Sequence, residues 1–416
     1  MVIAVVLVVT APSSVRDAPS PAKQGDASRA SSNGFSDSRA VVAAFARRSY
    51  RPGDVARLRL FGRYSPLSIE LLHVGPESEP TIGNGTIEGV VVSQAVRLSS
   101  PRHAVRLRIG DWESGVYAAR LRYRGRVGFA PFIVRPRRLG LNQVAVVQPT
   151  YTWQAYNRRS VDGRPGTWYQ TPRQRTVELW RPYLSRGVPP FFRRYDAGFL
   201  RWLAHTEKPV DMLAQEDFER LSGDRLARLY RLIVFPGHHE YVTVAEYDAV
   251  KRYRDLGGNL AFLSANNFFW RVRRQGETIT RSGRWRDLGR PEAALVGVQF
   301  FEWNRGDHRS TPYTVRGAEL APWLFAGTGL RNGARFGQFG VEVDRRASAS
   351  PRSIRVLATI ENVFATGHPA EMTFYETQGG ARVFAAGAFT LSGAQLRQPT
   401  MSRFLENLWN ALSTPG

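Results

Sequence analysis

The sequence predicts two folded units in tandem: an antiparallel β-sandwich, roughly immunoglobulin-like, and then a doubly wound α/β unit. Three observations carry this. Short alternating apolar runs separated by turns fill residues 39–136; from residue 142 buried runs alternate with helical ones; and a Ser/Ala/Pro/Gly tract over residues 12–38 precedes both. With 416 residues, 43% of them apolar and 12% aromatic, the chain can bury a sizeable core.

The first residues, MVIAVVLVVT, are apolar but fewer than the roughly 20 that a bilayer crossing needs, so no stable membrane span is expected. They fit the h-region of a secretory signal peptide over residues 1–11, with Val9 and Ala11 as small residues before a cut. A buried N-terminal strand is the alternative. Residues 12–38 cannot build a core and read as a disordered linker. Signal and tether together imply a secreted or periplasmic protein, with which the absence of cysteine is compatible.

In the first unit, DVARLRLFG, LSIELLHV, HAVRLRIG, GVYAARLRYRG and VGFAPFIVRP alternate with period two, as half-buried strands do. Trp112 and Tyr117 read as core aromatics, and His73 and His103 stand alone. In the second unit, residues 142–416, the runs QVAVVQ, PVDMLA, LYRLIVF and NLAFLSA read as buried strands between the helices AGFLRWLAH and TVAEYDAVKRYRDL and the turn QEDFERL. Thr243 followed by Glu246 is a capping-box pattern, and Gly257 and Gly258 close that helix. Glu246 and Asp248 are expected to face solvent. Near the C-terminus, EMTFYETQGGARVFAAGAF reads as a hairpin turning through Gln378, Gly379 and Gly380. TMSRFLENLWNALS reads as an amphipathic helix with Phe404, Leu408, Trp409 and Leu412 on its apolar face.

The net charge is +23, and all but three of the 58 basic residues (Lys23, Lys208, Lys251) are arginines. They are scattered in singles, pairs and triplets. No specific nucleic-acid partner is therefore expected, and a polyanion-binding face is the minor alternative. The lack of cysteine excludes thiolate nucleophiles, disulfides and sulfur-held zinc.

Ligands of doubly wound sheets bind beyond the carboxyl ends of the strands. Two polar loops fall there: PTYTWQAYN (149–157) after the first strand and GHHEY (237–241) after LYRLIVF. A glutamate just before a helix N-terminus is favoured as carboxylate, which a metal site requires, and a histidine two residues away can serve as acid or base. Alone, GHHEY is equally consistent with a hydrogen-bonded loop, and it lacks the i, i+4 spacing of zinc-peptidase histidines. Asn266 and Trp270 of SANNFFW are further candidates, the tryptophan chiefly for strand-end packing.

PTYTWQAYN, RPY (181–183), FLRWLAH (199–205), VDMLAQEDF (210–218), GHHEYVT (237–243) and GGNLAFLSANNFFWRVR (257–273) occur in an order and spacing that resembles the C-terminal domain of the N,N-dimethylformamidase large (beta) subunit, over roughly residues 140–412. The resemblance implies a glutamine amidotransferase-like fold without a cysteine nucleophile. It implies a metal-dependent hydrolase acting on the carbon–nitrogen bond of a small amide-like substrate, with ferric iron held by two tyrosinates and a glutamate. By motif, Tyr156 matches one tyrosinate, Glu240 the carboxylate, His238 the acid/base histidine near the metal and Glu376 a further acidic residue there. Where the second tyrosinate is expected, the sequence reads SVDG (160–163), and Tyr151 and Tyr169 are the neighbouring tyrosines. A small partner subunit or a homo-oligomer is compatible with the resemblance. The competing reading is a non-catalytic extracellular binding protein of the same fold, whose cleft holds a small ligand or glycan.

Overall fold

A computed structural model describes residues 40–99, 103–160, 165–171, 173–303, 310–389, 391 and 393–414. The expected signal segment and linker lie outside these residues. Four sheets and few helices make the chain a β-rich, multidomain fold. Among the described residues no helix is long and apolar enough to cross a membrane.

The first unit sets a three-stranded sheet (Ala43–Phe45, Val55–Leu60, Ala104–Arg108) against a six-stranded one built on Leu67–His73, Gly115–Tyr123 and Arg126–Val134. Val55–Leu60 shows the expected alternation: Ala56, Leu58 and Leu60 point inward while Val55 and Arg57 face water. Their core includes Phe45, Ile69, Leu121 and Phe132. Tyr117 lies in that core, stacked between His73 and Trp112. The larger sheet is covered on its other face as well, because Leu72, Val116, Phe129 and Ile133 join the core of the second unit. That double burial is why Gly115–Tyr123 is almost continuously buried rather than alternating.

The second unit is organised by β1 (Val144–Gln148), β2 (Asp211–Ala214), β3 (Leu232–Phe235) and β4 (Asn259–Phe262), every one a short apolar run. They pair in parallel in the order β2-β1-β3-β4. The helices between them include α1 (Thr150–Ala155), α2 (Ala197–His205) and α3 (Val244–Asp255). Because the chain leaves β1 towards one edge and returns to place β3 on the other side, a crevice opens between the carboxyl ends of β1 and β3. Thr243 caps α3 as expected, accepting the Glu246 N–H at 3.2 Å. Glu246 does not face solvent, however. It is fully buried and accepts hydrogen bonds from Gln215 and His239, whereas Asp248 is exposed as expected.

Beyond β4 the sheet continues with further strands, of which the sequence predicts only the hairpin near the C-terminus. They include β5 (Arg335–Arg345), β6 (Ala370–Glu376) and β7 (Arg382–Ala385), of which β7 is parallel to β4 and the β6–β7 pair forms the expected hairpin. Past β7 the chain pairs Phe389 with Gly340 of β5, bringing β5 towards the carboxyl edge of β4. The terminal helix α4 (Pro399–Ser413) buries Phe404, Leu408, Trp409 and Leu412, with Met401 and Leu405.

Candidate active site

The two loops meet at the crevice. Thr152 of α1 accepts the backbone N–H of Glu240 at 3.2 Å, which fixes the GHHEY loop against the helix that follows β1. Tyr156, at the C-terminal end of that helix, donates its hydroxyl to Glu240 Oε2 at 2.9 Å. His238 Nε2 stands 3.1 Å from Glu342 Oε2 and 3.4 Å from Glu240 Oε2, with side chains only 8%, 6% and 2% exposed. Phe268 and Trp270 donate to the carbonyls of His239 and Glu240, which ties the loop to the segment that follows β4. His238 and Glu240 turn into the cluster, while His239 turns towards Phe235, Phe268 and Glu246.

Of the two tyrosines near the missing position, Tyr169 joins the cluster and Tyr151 does not. The Tyr169 ring stacks on Tyr156 with centroids 4.6 Å apart, and its hydroxyl shares a short hydrogen bond with that of Tyr241, which also accepts from Trp168 Nε1 at 3.2 Å. Tyr151 is buried elsewhere, its hydroxyl in the field of Glu219, Arg274 and Glu246. Residues 161–163 of SVDG lie outside the described residues.

Glu376 is not brought to the cluster. Its register opposite Arg382 places it at the amino end of β7, and hence of the parallel strands, on the edge away from GHHEY. There it is exposed and lies 3.5 Å from Arg382 and 3.6 Å from Arg355. The carboxylate that does reach His238 is Glu342 of β5, supported by Asn266, whose side-chain amide donates to Glu342 at 2.9 Å and whose backbone N–H donates to Asp344 at 2.9 Å. Asn266 thus supports the site, while Trp270 opens a strand and carries the Arg281 guanidinium over its ring. No local motif marks Glu342, Asp344 or Asp196 in the sequence; Tyr241 was in plain view beside Glu240.

Electrostatics follow from burying many acids around one base. Burial first, and then the charge of Glu342, push the Glu240 carboxyl up to about 7, against the lowering effect of His238 and of hydrogen bonds from Tyr156 and Tyr241. For His238, burial works to lower the value, but Glu342, Glu240 and Asp344 outweigh it and the imidazole is raised. Burial and the charge of Glu240 hold the Tyr156, Tyr169 and Tyr241 phenols well above their ordinary range. Asp196 is likewise pushed up by burial, and Gly237 leaves room for it: a Cβ there would lie 2.7 Å from Asp196 Oδ1. Among the described residues His238 is the only basic side chain in ion-pair range of Glu240 or Glu342.

That surplus of acidic oxygen suits a hard cation, whose charge would reverse the penalty on ionising the phenols. Among the described residues no three His, Asp or Glu side chains gather as a ligand set, so such an ion would have to use phenol oxygen. Tyr156, Tyr169 and Glu240 supply that chemistry. Beside them lies a chamber of about 10 Å³, room for one water, lined by Thr152, Tyr156, Phe191, Tyr195, Asp196 and His238. Phe191, which lines it, and Asn266 and Val341, a hydrogen-bond partner and the chain neighbour of Glu342, have left-handed backbone, with φ of 61°, 53° and 72°.

Phenols, carboxylates and an imidazole thus gather at the carboxyl edge of parallel strands in a β-rich, multidomain chain that has no cysteine. The chain belongs to the N,N-dimethylformamidase beta subunit-like, C-terminal family, whose model matches residues 101–398. It is 24% identical over 202 residues to the N,N-dimethylformamidase beta subunit of an Alcaligenes species, covering 38% of this chain and 26% of that one. It is 32% identical over 113 residues to the subunit of the same name from Paracoccus aminophilus, covering 27% and 14%. The matches thus span 26% or less of the length of these relatives. A superoxide reductase from Ignicoccus hospitalis, 14% identical over 24% of this chain and 84% of that one, superposes with a TM-score of 0.19 and carries no argument.

Proposed function

We propose that the chain hydrolyses the carbon–nitrogen bond of a small amide. The observation that carries this reading is the buried Tyr156–Glu240–His238–Glu342 cluster at the switch point of the parallel sheet, and the names of the relatives supply the bond type. Within it, His238, where burial is outweighed by the raising effect of Glu342 and Glu240, can pass a proton to the departing amine. Glu342 lies beside the imidazole Nε2 and favours its charged form. Glu240 is oriented by the Tyr156 hydroxyl. The narrow chamber keeps bulk water from these groups.

Tyr156, Tyr169 and Glu240 are the residues that would hold ferric iron, which when bound would polarise the amide carbonyl and lower the pKa of water. The same reading takes the β2-β1-β3-β4 core as glutamine amidotransferase-like, the N-terminal pair of sheets as an immunoglobulin-like accessory unit and the chain as exported. It includes a partner subunit, because the relatives are named as beta subunits. Elemental analysis of the purified protein, combined with amine release from a panel of small amides, tests the proposal. Iron near one equivalent, lost in Tyr156→Phe and Glu240→Gln together with turnover, is expected; a metal-free protein that releases no amine overturns it.

A further inference from the structure

On the far side of Tyr195 from His238 lies an open cleft of about 310 Å³ whose lining includes Arg193, Arg194, Arg201 and Arg397 and no aspartate or glutamate. We propose that this cleft binds the anionic group, a carboxylate, of the substrate whose amide is processed at the neighbouring chamber, so that the chain prefers carboxylate-bearing amides to neutral ones. This assignment of substrate class rests on the hydrolase reading.

Two features set the cleft apart from the general arginine bias of the chain. First, its cations lack built-in counter-ions. Among the described residues Arg193, Arg194 and Arg397 have no carboxylate in ion-pair range: Arg193 donates instead to the amide oxygen of Asn84 at 3.1 Å, and only Arg201 has a carboxylate, Glu77, at 3.7 Å. The other arginine-rich groove, around Arg271, Arg273 and Arg274, carries its own Glu219, paired to Arg274 at 2.7 Å. Second, the cleft and the chamber are built from the same short segments. Arg193 and Arg194 immediately precede Tyr195 and Asp196, and Val341 of the cleft immediately precedes Glu342.

Tyr195 is the partition, lining both spaces, with its ring centroid 6.4 Å from that of His238. An amide tethered to a carboxylate in the cleft would therefore reach the imidazole by displacing the Tyr195 ring, because the chamber as it stands has room for one water. Ile82 and Ala197 give the cleft an apolar wall for that tether. Guanidinium groups are well matched to carboxylates because planar forks form charge-assisted, paired hydrogen bonds.

The test is calorimetric binding of N-acetylglycine and of its uncharged counterpart, N-acetylglycinamide, to the full chain. The anion is expected to bind about tenfold more tightly than the amide. That preference should vanish in Arg193→Ala/Arg397→Ala and persist in Arg331→Ala/Arg352→Ala, which removes two exposed arginines elsewhere. Equal affinity for the two ligands in the wild-type chain, or a preference that survives in Arg193→Ala/Arg397→Ala, overturns the proposal, as does its loss in the remote pair. Because binding is read without turnover, absence of hydrolysis with the preference intact would count against the hydrolase reading and not against the cleft.

Discussion

His238 and His239 are adjacent in sequence and have opposite surroundings. His238 looks into the chamber, near two glutamates and against the edge of Phe389. His239 is sealed between Phe235 and Phe268, with one partner, Glu246, at 2.6 Å, and neither side chain of that pair is exposed. The difference teaches that one short loop can divide a polar motif between two faces: one is available for chemistry, and the other is spent on joining the loop to helix α3.

The largest effect should come from the chamber side. In Glu240→Gln or Tyr156→Phe, steady-state amide turnover is expected to fall by about a thousandfold with the melting temperature nearly unchanged. His238→Ala should cost about 10²–10⁴-fold in turnover, again with little loss of stability. His239→Ala should do the reverse. It leaves the buried Glu246 without its histidine hydrogen-bond partner and should lower unfolding free energy by about 1–3 kcal/mol in urea titrations. A His239→Ala protein that is as stable as wild type but inactive would break the comparison.

A pH dependence sharpens it further. Burial first, and then the charges of Glu292 and Glu342, raise Asp344 to about 8, against hydrogen bonding from the Asn266 backbone, from an ordinary 3.8. The folded state therefore holds this proton more tightly than the unfolded chain. Its contribution to stability is complete below about pH 4 and is lost as pH rises through about 8. The urea midpoint should fall between pH 5 and pH 8.5, and Asp344→Asn should flatten that slope. The smallest effect belongs to the far edge of the sheet. Glu376→Ala should leave turnover unchanged and shift stability by less than about 0.5 kcal/mol, because its ion pairs are exposed.

Much of the site could be read from sequence because strand–helix alternation fixes which loops share an edge. QAYN follows β1 and GHHEY follows β3, so their meeting was legible before any coordinate. Tyr169 was nameable but not selectable, since it stands in an irregular loop where no period orients a side chain. Glu342 was beyond reach: it lies about a hundred residues downstream, on a strand whose burial alternates poorly because it pairs on both sides and bends through bulges. The hairpin holding Glu376 was recognised, but recognising a turn does not say which edge of the sheet it faces. Glu246 misled for a related reason. A glutamate three residues past a capping threonine looks the same in sequence whether it reaches back to the cap or into the core.

That Glu342 comes from β5 has a practical corollary for anyone dissecting the chain. The parallel strands look like a portable module, and a gene fragment ending near residue 290 would encode β1 to β4 with both conspicuous loops. Such a fragment would carry the motif without Glu342, leaving His238 with no carboxylate from β5. Grafting GHHEY and QAYN onto another doubly wound scaffold would meet the same obstacle, so the transferable unit is the whole sheet rather than its two most recognisable loops.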